Sequence, residues 1–185
     1  MLQEIFNFVG LLLAAAVVAF LMQAYVAQPI RIDGTSMEAT LHNGEYVLVS
    51  KLFRWLGGDL RRGDVVICRY PGRIEQEFYL GAALSLTQHT IFVKRLVALP
   101  GDTVEIRDGA LYINGEKTDD PAYMASTPRD YALRTLGENE YFVIGDNRFT
   151  SRDSRADDVG PIGKEALMGK VKCVLWPLKN IRGIK

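Results

Sequence analysis

The chain has 185 residues, room for one domain of ordinary size plus an appendage, and too few for a multidomain assembly. Its 22 Lys+Arg balance 22 Asp+Glu to a net charge of zero, so no overall electrostatic pull exists and a nucleic-acid partner is not expected. Two cysteines (Cys68, Cys173) and two histidines (His42, His89), none in CxxC or HxxxH spacing, exclude a disulfide scaffold and cannot close a tetrahedral metal site by themselves.

The charge is unevenly placed: Glu4 is the one charged side chain in residues 1–30. In residues 5–27 (IFNFVGLLLAAAVVAFLMQAYVA), 20 of 23 positions are apolar. As a helix rising about 1.5 Å per residue, this run is roughly 34 Å long, enough to cross a hydrocarbon core of roughly 30 Å. A cleaved leader is the competing reading. Against it stand the missing Lys or Arg ahead of the run, a length beyond an h-region of about 7–15 residues, and Tyr25 where a small-x-small cleavage site would need a small side chain. A retained anchor at residues 1–29 is therefore expected. Arg31, Lys51 and Arg54 follow the helix, which by the positive-inside rule argues for a cytoplasmic carboxy terminus.

Beyond residue 44 the pattern changes to β-branched, period-2 runs. They fall at residues 45–50 (EYVLVS), 64–70 (DVVICRY), 90–98 (TIFVKRLVA), 103–107 (TVEIR), 110–113 (ALYI), 140–144 (EYFVI) and 170–176 (KVKCVLW). Turn residues separate them, including Gly57-Gly58, Pro100-Gly101-Asp102 and the two hairpin signals Asp108-Gly109 and Asn114-Gly115. An all-β domain spanning residues 30–185 follows. Residues 72–89 (GRIEQEFYLGAALSLTQH) have helical or mixed spacing, and residues 119–139 read as a loop, so a variable loop or small subdomain is expected at about 108–140.

Hydrolytic chemistry needs a nucleophile, a base and a stabiliser for the oxyanion. Ser36, in Asp33-Gly34-Thr35-Ser36-Met37, lies among small residues that would let a backbone N–H face a substrate; the same pattern also describes an ordinary surface turn. Lys94 and Arg95 are adjacent cations in the apolar strand IFVKRLV, and alternation sends them to opposite faces, so one must point inward. An inward Lys94 would have a depressed pKa and could deprotonate a serine as a neutral amine. An outward one would snorkel over its own stem.

Four segments taken together resolve more than any one of them. Ser36-Met37-x-x-Thr40-Leu41, Arg62-Gly63-Asp64-Val65-Val66, Val93-Lys94-Arg95 through Pro100-Gly101-Asp102, and Gly145-Asp146-Asn147-Arg148-x-x-Ser151-x-Asp153-Ser154-Arg155 follow in that order behind an apolar helix. The chain so read closely resembles the bacterial type I signal peptidases (leader peptidases), in the single-span form typical of Gram-positive bacteria. The resemblance implies the signal-peptidase β-fold, shared with LexA-like repressors, behind one transmembrane helix. It implies Ser36 as acylating nucleophile, Lys94 as general base, Ser151 as the hydroxyl that orients the lysine amine, and Asp153 with Arg155 as the pair that braces the site. The Ser36 N–H would meet the oxyanion. Shallow apolar substrate pockets would be lined by Ile30, Ile32, Phe92 and Val93, with Gly34, Met37 and Leu41 nearby; core packing is the competing reading of the apolar ones, and the preferred one for Leu41.

The chain departs from the family pattern at Gly34, where some members carry a second oxyanion-stabilising hydroxyl, and at Ala39, often proline. Phe149, Thr150, Asp157 and Asp158 are further departures, none of which removes a reacting group. His42 and His89 read as solvated positions and the cysteines as small hydrophobes that would pair only in an oxidising space. Phe53, Trp55 and the LGAALSL stretch are candidates for contact with lipid headgroups.

The expected function is that of a membrane-bound serine endopeptidase that cleaves amino-terminal signal peptides from exported proteins through a Ser-Lys dyad, with no metal or cofactor. Its partners would be those signal peptides and the lipid bilayer. It would be a single-pass protein of the cell membrane with the catalytic domain on the extracytoplasmic side, since signal peptides are cut after translocation. The alternative is a noncatalytic, membrane-tethered homologue acting as a binding or assembly module.

Overall fold

The computed structural model describes residues 2–52, 60–79, 85–118 and 127–184. Phe53, Trp55 and most of the LGAALSL stretch lie outside these residues, as does the Gly57-Gly58 turn. The apolar amino-terminal run forms α1 (Leu2–Leu21), continued by a π-helical turn at Met22–Val26. Together, from Gln3 to Val26, they make 24 residues, long and apolar enough to cross a membrane. The chain passes without a linker into β1 (Ala27–Arg31). This strand carries Pro29, which cannot donate to a ladder, and it sits at the sheet edge where that donor is not needed.

The remaining strands are β2 (Tyr46–Ser50), β3 (Val65–Tyr79), β4 (Ser85–Ala98), β5 (Thr103–Arg107), β6 (Ala110–Ile113), β7 (Glu116–Lys117), β8 (Tyr131–Thr135), β9 (Glu140–Ile144), β10 (Ile162–Gly163), β11 (Leu167–Trp176) and β12 (Arg182–Gly183). An eight-stranded sheet runs β1-β2-β11-β3-β4-β9-β10, with β12 beside β11; a second, four-stranded sheet runs β7-β6-β5-β8. The fold is mostly β-sheet with one amino-terminal apolar helix, the class read from the sequence.

The near-continuous apolar run of β3 follows from burial on both of its faces. Val65 and Ile67 pack with Ile32, Met37, Leu41, Val47, Val49, Val171 and Val174, while Val66 and Cys68 face Leu96, Val143, Val159, Ile162 and Leu167. The first of these clusters lies directly under the Ser36 turn. A third cluster, from Val97 and Ala98 through Val104, Ile106, Leu111 and Phe142, joins the small sheet to the large one.

The two hairpin signals behave as their residues require. Asp108 and Gly109 (φ 52° and 73°) turn β5 into β6, and Asn114 and Gly115 (φ 54° and 81°) turn β6 into β7.

Two segments differ from expectation. Residues 72–79 and 85–89 are strand, not helix, because β3 and β4 extend as a long antiparallel hairpin in which Ile74 faces His89 and Tyr79 faces Ser85. Pairing with a neighbouring strand overrides their mixed local spacing. Within the segment expected to be a loop, β8 closes the small sheet against β5. Four of its five residues are exposed, so it has no period-2 apolar signal by which a sequence reading could find it. Cys68 and Cys173 are both free thiols.

Candidate active site

The Ser36 turn is assembled from both sides. Gly34 takes a φ of 106°, open to glycine and strained for other residues, and its N–H donates to Asn43 Oδ1 at 3.1 Å. Met37, 2% exposed, buries its side chain in the core below, which stabilises the turn by about 1.5–3 kcal/mol. The turn then closes on itself through Glu38 N–H to Thr35 O (3.1 Å), Thr40 N–H to Met37 O (3.0 Å) and Leu41 N–H to Met37 O (2.8 Å). These internal bonds leave out the Ser36 N–H. Ala39 has a φ of 92°, which proline's ring forbids, so the turn has a geometry that a chain with proline at this position could not share.

Strand β4 brings Lys94 to this turn. Its Nζ lies 2.6 Å from Ser36 Oγ, although the two residues are 58 positions apart in sequence. Lys94 is 3% exposed. Burial lowers its pKa from the usual range for an amine to about 8; Asp153 and Asp146 oppose the shift and Arg155 assists it. The Phe92 ring stands 5.4 Å from Nζ and meets Tyr70 edge-on.

The neighbouring Arg95 is buried as well, at 4%, so both cations of IFVKRLV point inward rather than one. Its partners explain this. Arg95 Nε and Nη2 clasp Asp146 at 2.8 Å each, Nη1 donates to Gly63 O at 2.7 Å, and Nη2 reaches Thr40 Oγ1 at 3.0 Å. Thr40 in turn donates to Asp146 Oδ2 at 2.5 Å. The serine turn thus touches β4 twice, through Ser36 and through Thr40. Thr40 and Asp146 stand in the segments that carry the family resemblance but were given no role there; the adjacent cation Arg95, which needs a carboxylate wherever it is buried, was the available signal.

The loop after β9 supplies the third wall. Gly145 N–H donates to Asp153 Oδ2 at 2.9 Å, and Asn147 N–H donates to Ser36 O at 3.0 Å. Asp153, 1% exposed, is held in fork geometry by Arg155 Nε and Nη2 at 2.7 and 2.8 Å and accepts the Ser151 hydroxyl at 2.5 Å. Arg155 also donates to Arg148 O and Ser151 O, tying the loop to itself. The Ser151 hydroxyl proton is therefore directed at Asp153. Among the described residues the side-chain hydrogen bond of Lys94 is to Ser36, and the expected one from Ser151 is not formed.

Of the residues expected at substrate pockets, Ile30, Phe92 and Val93 are half-buried and Gly34 is exposed, whereas Ile32 and Met37 are core residues packed with Leu41. His42 is an exposed partner of Glu38 (Nδ1 to Oε1, 2.7 Å), and His89 sits on β4 opposite Ile74. Among the described residues no group of three His, Cys, Asp or Glu side chains could hold a metal ion.

A buried lysine amine within hydrogen-bond reach of a serine hydroxyl, beside a backbone N–H that the turn's own bonds do not use, is an arrangement that can activate a serine as a nucleophile. The family described as signal peptidase, peptidase S26, matches residues 5–176. The chain is 35% identical to signal peptidase I of Bacillus licheniformis, over 97% of this chain and 92% of that one. It is 34% identical to signal peptidase I T of Bacillus subtilis (strain 168), over 92% and 85%. A solved structure of a signal peptidase I from Enterococcus faecalis V583, 27% identical, covers 61% of this chain and 97% of its own with a TM-score of 0.46. The chain belongs to the signal peptidase family, peptidase S26, and has that family's activity, the cleavage of signal peptides.

Proposed function

We propose that the chain cleaves signal peptides of exported preproteins by a Ser36–Lys94 dyad, from an anchor at residues 1–29 and a catalytic domain at residues 30–185. The observation that carries the reading is the 2.6 Å contact between Lys94 Nζ and Ser36 Oγ at a buried amine. Neutral Lys94 takes the hydroxyl proton as Oγ attacks the scissile carbonyl carbon. The Ser36 N–H meets the developing oxyanion. As the tetrahedral adduct collapses, the C–N bond breaks and the lysine ammonium returns its proton to the leaving amine of the mature chain. A water, deprotonated by the same amine, then hydrolyses the serine ester. Ser151, Asp153 and Arg155 hold the wall against which Lys94 packs, and half-buried Ile30, Phe92 and Val93 offer small apolar recesses for the small side chains before the cut.

Cleavage of a synthetic peptide with an Ala-x-Ala site tests the reading, and its pH dependence tests the base. Lys94 must be neutral to act and its pKa is lowered to about 8. Below that value the amine is protonated and the base is lost, so kcat/KM should rise with pH through a limb centred near it. A limb near the pKa of a free lysine, or a flat profile from about pH 5 to 9, would remove Lys94 from the role.

The catalytic domain is placed outside the cytoplasm because signal peptides become accessible there. Lys51, one of the residues whose charge argues otherwise, donates to Gln23 O and Ala24 O at 3.0 and 3.3 Å. It therefore neutralises carbonyls at the carboxy-terminal end of the helix, a local reason for a cation at that place. Protease added to intact spheroplasts should digest the domain; protection until lysis would reverse the orientation.

A further inference from the structure

The family match ends at residue 176, yet the last residues of the chain reach back to the serine turn. Strand β12 pairs with β11 through Arg182 opposite Val174, and Ile184 N–H to Lys172 O extends the contact at 2.9 Å. From this strand the Arg182 guanidinium enters the protein. Nη1 and Nη2 bind the two oxygens of Glu45 at 2.8 Å each, and Nη2 also donates to Thr40 O at 2.7 Å. Asn180 Nδ2 adds a bond to Glu45 Oε1 at 3.1 Å, and Arg182 Nη1 fixes Asn180 O at 3.0 Å.

Glu45 is 2% exposed and gathers the other end of the turn. Its Oε2 accepts His42 N–H at 3.0 Å, and its backbone bonds His42 O and Ile32 N–H at 3.2 and 2.8 Å. Burial pushes the Glu45 carboxyl up, but the bonds from Arg182, His42 N–H and Asn180 outweigh it and hold the carboxyl down at about 2, so the pair is charged at working pH. Thr40 is then gripped at its hydroxyl by Asp146 and Arg95 and at its carbonyl by Arg182. Ser36 is four residues before it, on the same closed turn.

We propose that residues 180–182 form a clamp on the nucleophile turn, in which Arg182 is a positioning residue that keeps Ser36 Oγ at Lys94 by holding Thr40 O and Glu45 together. The proposal rests on the reading of Ser36 as the nucleophile. The guanidinium is suited to it because one planar fork serves two carboxylate oxygens and a carbonyl at once, whereas an ammonium is a single compact charge.

The test uses the full chain purified in detergent, with kcat and KM for an Ala-x-Ala peptide and Tm measured for each variant. Glu45→Gln/Arg182→Met removes the pair without leaving a lone buried carboxylate, which on its own could prevent folding. Its kcat should fall about 10- to 100-fold, as for a reacting group displaced by about an ångström, with KM within about twofold because the pocket residues on β1 and β4 are untouched. Arg182→Lys keeps a cation for Glu45, so its Tm should stay near that of the unmodified chain while kcat still falls several-fold. A brace needed for folding alone would be rescued by that lysine. The proposal is overturned if Arg182→Lys has unaltered kcat, or if the folded double variant changes KM and leaves kcat as it was. Ser36→Ala is run beside them: if it cleaves the peptide, the nucleophile reading fails, and if it is inactive while the Arg182 variants turn over normally, the clamp alone fails.

Discussion

Ser36→Ala should leave an enzyme with on the order of 10⁴-fold less kcat/KM or lower still, and Lys94→Ala should be equally poor, because neither half of a nucleophile–base unit works alone. The double variant should therefore be little worse than either single one. Lys94→Arg sharpens the expectation. It keeps the positive charge and much of the buried volume, but a guanidinium does not lose its proton at any working pH, so it cannot take one from Ser36. An enzyme that relied on Lys94 only as a cation would tolerate that change. Peptide cleavage by purified variants decides the matter, and near-native turnover in Lys94→Ala would end the proposed mechanism. Folding is controlled for by Tm, which Ser36→Ala should leave nearly unaltered since Ser36 is half-buried.

Much of the fold was legible because its strands carry their pairing in local pattern. The run 103–107 with 110–113, joined by Asp108-Gly109, needs nothing outside itself to be read as a hairpin, and the structure places those strands at the residues expected. Strands whose identity comes from a distant neighbour were not legible. Tyr131–Thr135 is nearly all exposed and becomes strand by lying against β5, while Ala27–Arg31, with Gln28, Pro29 and Arg31 among its five residues, has no β-branched alternation of its own and becomes strand by pairing with β2. The candidate site divides in the same way. Ser36 and Lys94 were only candidates from their immediate surroundings, a small-residue turn and a cation in an apolar strand, and it was the four segments in order that singled them out. Their contact across 58 positions follows only from the path of β4 past the core under Met37. Arg182 had no local signal at all, since a lone arginine near a chain end looks the same whether it is solvated or holds a buried carboxylate 137 positions away.

Gly145→Ala should be the most damaging change that touches no reacting group. Its φ is not in the left-handed region, so conformational freedom is not what requires glycine there; space is. A Cβ at this position would lie 2.5 Å from Ser36 O and closer still to Ser151 Oγ. The serine hydroxyl of residue 151 could rotate, but its Cβ, also at 2.5 Å, and the Ser36 carbonyl belong to parts of the chain with little room to move. Ser36 O is already fixed by Asn147 N–H, and Gly145 itself is fixed by Asp153. Something must shift, and both obstacles are parts of the proposed site. Overpacking of this kind destabilises by about 1–3 kcal/mol, and displacement of the nucleophile by about an ångström lowers kcat about 10²-fold. The two effects separate experimentally, since Tm reads the first and kcat at a temperature well below Tm reads the second. Adding Ser151→Gly should relieve the side-chain clash and recover stability, yet leave kcat low because the Ser36 carbonyl is still pushed. A Gly145→Ala enzyme with unaltered kcat would mean that the loop after β9 yields freely, and that the position of Ser36 does not depend on it.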